Sequence, residues 1–244
     1  MENSTDHMDH SAVQEVQKIA DSVEGWLGKR EGPYLYQLAK VGSRLGAIVE
    51  IGSWQGRSTI WLGKGSETVN GYEIYAIDPH VGGSRRQHNV STEKTFRENI
   101  QRAGLAKKVV PIVALSSDAL KGWSRPIGML WIDGDHRYEA VSGDFLGWSR
   151  FVAKDGIIAF HDTYSWEGVR RFVDGEILPN TQYRVLGQID SILAIQNTSR
   201  DNWSDRLRAD LTIWLRQVYH RAREKRAHWR ALPRKIMRGL AGIG

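Results

Sequence analysis

The sequence predicts a doubly wound α/β domain on a mostly parallel, seven-stranded sheet, preceded by helices and followed by a basic helix. Three observations lead there. Short apolar strands alternate five times with helical segments, a rhythm that requires right-handed crossovers and a parallel sheet. The first strand runs through a glycine-bracketed turn, Gly52-Ser53-Trp54-Gln55-Gly56, directly into a helix. Two last strand-like runs, Tyr183–Gly187 and Ser191–Gln196, read as an antiparallel hairpin at the sheet edge. The predicted divisions are a helical cap over 1–45, the α/β domain over 46–197 and an amphipathic tail over 198–244. In such a sheet, ligands sit at the carboxyl ends of the strands.

Val13, Val16, Ile19, Ala20, Val23, Trp26 and Leu27 recur at three and four, predicting a helix over 11–29 that Glu31-Gly32-Pro33 breaks. Tyr34–Val41 reads as a second short helix covering the sheet edge. Ala47–Ile51 is the first strand, apolar except for Glu50, and a helix continues from Ser58. Tyr72–Asp78 is the second strand. Asp78 lies 22 positions beyond Gly56, near the ~20 at which a carboxylate reaches ribose hydroxyls. The plainer reading makes it a strand-end cap. Pro79–Val90, with its glycines, arginines and histidines, has the composition of a lid loop. Ser91-Thr92-Glu93-Lys94 reads as a capping box opening a helix to about Ala103. Val109–Val113 is the third strand, and Leu115–Asp118 turns into a short helix. The fourth strand, Gly128–Asp133, leads through Gly134-Asp135-His136 to a helix over Tyr138–Phe151. The fifth, Gly156–Phe160, ends in His161-Asp162, and a helix runs on through Phe172.

The totals narrow the function. A chain of 244 residues with 41% apolar content buries one core and carries a modest appendage. No apolar run approaches the ~20 residues of a membrane span. Met1–Ala12 is polar and lacks the apolar stretch of a secretion signal, so a cytoplasmic protein is expected. The absence of cysteine excludes disulfides, thiolate metal sites and cysteine nucleophiles, including cytosine methylation through a cysteine adduct. Residues 200–244 hold 12 Lys/Arg against 4 Asp/Glu, whereas the remainder holds 22 against 24. An anionic partner is therefore to be sought at the tail.

The glycine turn is neither of two familiar cradles. Ser53-Trp54 breaks the dinucleotide fingerprint, and Ser58 stands where a phosphate loop ahead of Gly63-Lys64 needs glycine. The remaining pattern, Glu50-x-Gly52-Ser53-x-x-Gly56-x-Ser58-Thr59, resembles motif I of class I S-adenosylmethionine-dependent methyltransferases. That resemblance implies that Glu50, Gly52, Ser53 and Gly56 line the methionine end of the cofactor. It likewise implies Asp78 at the ribose and Ser116 and Ser117 beside the adenine.

Asp78, Asp133, Asp135, His136, His161 and Asp162 all fall at carboxyl ends of predicted strands. With strands four and five as neighbours, about 4.8 Å apart, Asp133 and Asp162 approach each other. Like charges that close need a proton or a cation between them, and Mg²⁺ or Mn²⁺ suits an oxygen-rich edge. Taken singly, Asp135 caps the next helix and His136 is a strand-end histidine; taken together, the six read as a site.

The string Trp131-Ile132-Asp133-Gly134-Asp135-His136-Arg137-Tyr138, with Phe160-His161-Asp162-Thr163 downstream, resembles metal-dependent sugar O-methyltransferases of the macrocin and mycinamicin type. The resemblance runs from about Gly42 to Gln196. It implies Asp133 and Asp162 as metal ligands and His136 as general base; in an aminocoumarin-sugar branch the base is the aspartate corresponding to Asp135. His161 stands where those relatives carry a carboxylate, so it either admits a softer metal or is no ligand. A sugar hydroxyl is a poor acid, a cation would lower its pKa, and a histidine near its ordinary ~6.5 suits the proton-accepting role.

The expectation is an S-adenosylmethionine-dependent O-methyltransferase using Mg²⁺ or Mn²⁺ on a hydroxyl of a sugar, glycolipid or related small molecule. The alternatives are a nucleic-acid methyltransferase using the tail, or a non-catalytic cofactor-fold binding protein. The first lacks the Asn/Asp-Pro-Pro-aromatic string of amino-group methylators, and the retained carboxylates argue against the second. In the tail, Trp203, Leu207, Leu211, Trp214, Leu215, Val218, Tyr219, Ala222 and Trp229 recur at three and four in an Arg-rich helix that Pro233 ends. Such a stripe packs on the domain or on a second subunit of a homo-oligomer, or lies on an anionic membrane. Nucleic acid comes third, since no base-reading motif accompanies the charge.

Overall fold

The computed structural model describes residues 10–81, 91–198 and 202–231, with side chains as far as Ala222. The chain divides into two compact units, Met1–Arg200 and Asp201–Gly244. The first is built on seven strands: β1 (Ala47–Ile51), β2 (Ile74–Ile77), β3 (Val109–Ile112), β4 (Ile127–Ile132), β5 (Val152–Phe160), β6 (Arg184–Ile189) and β7 (Ile192–Gln196). They lie in the order β3-β2-β1-β4-β5-β7-β6. The first five are mutually parallel, and β7 runs antiparallel to both β5 and β6. This is the doubly wound sheet with an edge hairpin that the alternating pattern predicts. Every residue of β1, β2 and β4 is buried, as the unbroken apolar runs of a sheet covered on both faces require. Pro111 lacks an N–H, and it lies in β3, at an edge where one side of the strand needs no partner.

Helices α1 (His10–Asp21), α2 (Glu31–Gly42), α3 (Arg57–Glu67) and α4 (Glu93–Arg102) share one core with the sheet, in which Leu35, Ile60, Leu62, Phe96, Met129 and Trp131 are buried. A second set covers the strands with aromatic contacts. Helices α5 (Ser116–Ala119), α6 (Tyr138–Trp148) and α7 (Glu167–Phe172) belong to it, and Phe145 of α6 lies 5.4 Å from Phe172 and 5.9 Å from Phe160 of β5. Of the second unit the structure describes the helix α8 (Trp203–Ala231). Among the described residues, no helix is long and apolar enough to cross a membrane.

The structure departs from the sequence pattern at three places. The first helix stops at Asp21 instead of running to Lys29, where Ser22 Oγ donates to Ile19 O. Glu31-Gly32-Pro33 does not break the chain but forms the first turn of α2. Proline is tolerated there because the first N–H groups of a helix have no partner inside it. The capping box before α4 does not form. Thr92 occupies the N-cap without a side-chain cap bond, and its Oγ1 lies 2.8 Å from Nδ1 of the buried His80 instead. The expected lid falls largely on residues 82–90, and the chain from Leu232 onward, including Pro233, likewise lies outside the described residues.

One close approach holds the site's scaffold in register. A Cβ on Gly128 would lie 2.0 Å from the carbonyl O of Gly42 and 2.6 Å from the amide N of Gly46. The end of α2 and the entry to β1 thus rest on the backbone of β4, at the point where its pairing slips by one residue against β1 and by three against β5. Gly128→Ala must push these segments apart. It is expected to lower unfolding free energy by about 1–3 kcal/mol or more, read as a lower urea midpoint at unchanged slope.

Candidate active site

The carboxyl ends of β1, β2, β4 and β5 meet because ladder hydrogen bonds continue one residue past each strand. Gly52 N–H donates to Ile77 O, Asp78 N–H to Ile112 O, Asp133 N–H to Ile51 O and His161 N–H to Ile132 O. Gly52 has φ +89°, and a Cβ there would lie 2.2 Å from the carbonyl O of Asp133. The glycine is therefore needed twice, for a left-handed turn and for backbone contact with the end of β4. The sequence indicates the turn and room for a ligand, but not the contact with Asp133.

Along that turn, Glu50 is fully buried and takes hydrogen bonds from Ser58 Oγ (2.5 Å) and Thr59 Oγ1 (2.6 Å). Burial pushes its carboxyl up to about 8, against those two hydroxyls and with the help of Asp133 and Asp78. Ser53 is buried, and its Oγ has no hydrogen-bond partner among the described residues. Gly56, at φ +92°, begins α3. Asp78 binds the turn to β2: its Oδ2 accepts from Trp54 N–H (2.9 Å) and its Oδ1 from His80 N–H (2.7 Å). Trp54, itself in the left-handed region at φ +42°, stacks on Trp26 at 4.5 Å. Ser116 opens α5, and its hydroxyl donates to Asp144 of α6, whose carboxyl burial raises to about 6. Ser117 beside it is exposed.

At the edge between β4 and β5, three donors converge. Atoms of Asp133, His136 and Asp162 all lie within 4.8 Å of one another. Asp162 has φ +55°, a conformation that aspartate tolerates better than most residues. His136 Nε2 is buried, 3.1 Å from Asp162 Oδ2 and 3.8 Å from Asp133 Oδ1, without a hydrogen bond of acceptable angle. Its ring stacks on Trp166 at 4.7 Å and 11°. Burial disfavours its charge, but the two aspartates overcome that and raise its pKa to about 9. Asp133 is shifted the other way: burial opposes ionisation, and His161 and His136 hold its carboxyl below the usual range.

Two sequence-predicted residues have other partners. The exposed Asp135 takes bonds from Arg137 N–H (3.0 Å) and Arg137 Nε (2.8 Å), so its carboxylate is engaged in the turn into α6. His161 stands outside the three-donor group. Its Nδ1 lies 3.0 Å from Asp133 Oδ1 and its Nε2 3.3 Å from Glu31 Oε2, so both nitrogens face carboxylates. These partners raise its pKa well above the ordinary value against the effect of burial. Sequence reasoning missed Glu31 altogether. It is 3% exposed on the first turn of α2, where an acid is favoured by the helix dipole. That preference, beside Gly-Pro, was the available signal.

Known proteins share this fold. A family model described as a methyltransferase domain covers residues 49–163. An O-methyltransferase from Bacillus cereus in complex with SAH superposes with TM-score 0.54 at 22% identity, over 79% of this chain and 93% of that one. The O-methyltransferase NovP superposes with TM-score 0.59 at 19% identity, over 70% and 81%. The fold is that of the O-methyltransferases. TomG from Streptomyces achromogenes, an O-methyltransferase of tomaymycin synthesis in complex with SAM, gives 0.55 at 17% identity, over 77% and 90%. A protein of Acanthamoeba polyphaga mimivirus, R132, is 30% identical over 126 residues, 48% of this chain; the chain spans about half the length (52%) of that relative.

Glu50 gives the strand that leads into the glycine turn a pH signature. Its folded-state value of about 8 lies above its ordinary 4.5, so between those pH values the folded chain keeps a proton that the unfolded chain has lost. Stability from this group is therefore fully present below about pH 4.5 and declines up to about pH 8, by at most about 1.4 kcal/mol per pH unit. Glu50→Gln removes that slope. The melting temperature of the variant is expected to rise relative to the unsubstituted chain between pH 5 and 9 in parallel thermal scans.

Proposed function

We propose that the chain transfers a methyl group from S-adenosylmethionine to a hydroxyl of a sugar, glycolipid or related small molecule, with a divalent cation held at the β4–β5 edge. The carrying observation is the convergence of Asp133, His136 and Asp162 on the sheet edge that also bears the Gly52–Gly56 turn. The residues present fit both groups. The orphaned Ser53 Oγ and half-buried Asp78 offer polar partners where the fold family holds its methyl donor. Two carboxylates, Asp133 and Asp162, make an oxygen donor pair suited to Mg²⁺ or Mn²⁺, and the unsatisfied His136 Nε2 lies beside them, where it would face a hydroxyl on that ion. A divalent ion there supplies Lewis-acid polarisation of the acceptor hydroxyl.

The remaining work falls to the chain. Methyl transfer is an in-line displacement, so the acceptor oxygen must be aligned with the sulfonium carbon and lose its proton. Trp166, stacked on His136 and half exposed, holds the imidazole plane at the rim. His136 Nε2 receives the hydroxyl proton in its neutral form. The two aspartates raise the His136 pKa to about 9 when no cation lies between them, and an ion held there would cancel that pull and favour the neutral ring.

Chelation with EDTA is expected to abolish methyl transfer from labelled S-adenosylmethionine into an extract of candidate acceptors, and Mn²⁺ or Mg²⁺ to restore it. His136→Ala should lower turnover by roughly 10²–10⁴-fold, with cofactor affinity unchanged by calorimetry. Full activity in chelator would refute the metal.

The proposal includes peripheral contact of α8 with anionic membranes, which suits a glycolipid acceptor. Trp203, Leu207, Leu211, Trp214, Leu215 and Val218 are exposed at helical spacing in a segment rich in arginine. Full-length chain should float with phosphatidylserine-containing liposomes and not with neutral ones, whereas a chain ending before Trp203 should stay in the heavy fraction.

A further inference from the structure

We propose that His80, anchored by Thr92, is a positioning residue for the cofactor: the pair fixes the Asp78 carboxylate for the ribose hydroxyls of S-adenosylmethionine. The inference rests on the cofactor reading above, in which Asp78 faces the ribose. Asp78 follows β2 and accepts from one backbone amide on each oxygen, Oδ2 from Trp54 N–H (2.9 Å) and Oδ1 from His80 N–H (2.7 Å). An ionised carboxylate has about four acceptor positions. Two amides fix the plane of the group and leave a lone pair on each oxygen for a vicinal diol. Asp78 is half-buried, so that side is open to a ligand.

The His80 amide is aimed at Asp78 by a left-handed backbone, at φ +52°. Residues other than glycine seldom adopt that conformation, and it persists where the surroundings hold it. Here the side chain holds it. The ring is 2% exposed, its Nδ1 lies 2.8 Å from Thr92 Oγ1, and its centroid is 5.4 Å from that of Phe96. The same nitrogen is 3.7 Å from Asp78 Oδ1, too far for a hydrogen bond, so Thr92 is the anchor. Thr92 in turn opens α4, the helix that supports the glycine turn. Asn99 Nδ2 of α4 donates to Gln55 O (2.8 Å), and a Cβ on Gly56 would stand 3.1 Å from Phe96 and 3.2 Å from Ile100. The contacts close a circuit: from the turn through Trp54 to Asp78, on to His80 and Thr92, and along α4 back to the turn. One helix thus sets both the glycines of the turn and the acid beside them. The capping box that does not form finds its reason here, since the Thr92 hydroxyl is turned to His80 and makes no cap bond.

The experiment measures, by calorimetry on the full chain, the affinities of S-adenosylhomocysteine and of its analogue lacking both ribose hydroxyls. Thr92→Val keeps the shape and removes the hydroxyl. It is expected to weaken S-adenosylhomocysteine binding by about 10-fold, as the loss of one hydrogen bond does, and to leave the analogue within about twofold of its original affinity. His80→Ala should show the same selective loss. A merely structural role would weaken both ligands alike. Unchanged S-adenosylhomocysteine affinity in either variant, or an equal loss for the two ligands, overturns the inference. If a variant does not fold, amide exchange in the unsubstituted chain decides. At saturation, S-adenosylhomocysteine should slow exchange of the His80 amide more than the analogue does, and equal slowing overturns the inference. Equal affinity of the unsubstituted chain for the two ligands takes Asp78 away from the ribose and overturns it as well. Failure to bind either ligand overturns the cofactor reading itself.

Discussion

The contact between Gly52 and the carbonyl of Asp133 ties the two halves of the site together. The turn after β1 and the end of β4 lie so close that a single added carbon would collide at 2.2 Å. Asp133 N–H reaches back to Ile51 O across the same gap. The glycine turn after β1 and Asp133 at the end of β4 are thus two sides of one backbone contact, and neither can shift without the other. Gly128 serves the same end at the opposite edge of β4, where the slip in pairing lets α2 and the entry to β1 settle onto the strand.

Electrostatics then divides the labour among neighbouring acids. Glu50 is buried with only hydroxyl donors and keeps its proton near neutrality. Asp133, facing two imidazoles, gives its proton up. Glu31, facing its own set of donors, gives it up as well. Carboxyls of one sheet end are thus separated into neutral and charged forms by their immediate partners, the pattern by which one fold assigns different proton tasks to similar groups. A neutral Glu50 also spares the edge another negative charge close to Asp133 and Asp78.

Much of this was legible in the sequence because it is local. Strand runs, the glycine turn and acids at strand ends are all written within a few residues of one another, and the usual strand order does the rest. The engagement of Asp135 with Arg137, two residues on, is of the same kind. What escaped reading depends on distance or on ambiguous punctuation. Glu31-Gly32-Pro33 serves equally as a stop and as a first helical turn, and only packing chooses. Thr92 prefers His80, twelve residues back, to the cap its pattern advertises. The partner of His161 lies 130 residues away, and no spacing rule reaches that far.

The hairpin of β6 and β7 gives the site a history as well as a shape. Because β7 runs against β5, the turn before it arrives at the carboxyl end of the sheet and hands Ser191 to Glu31. These two residues leave the ribosome 160 positions apart. At about 5–20 residues per second the earlier one waits on the order of ten seconds for the later. Strands β1 to β5 can meet in that interval, but the acid on the first turn of α2 cannot yet be clasped on its Oε1 side. The emerging chain therefore holds its parallel strands before Glu31 is clasped, and the last strand pair to be made is the one that supplies Ser191.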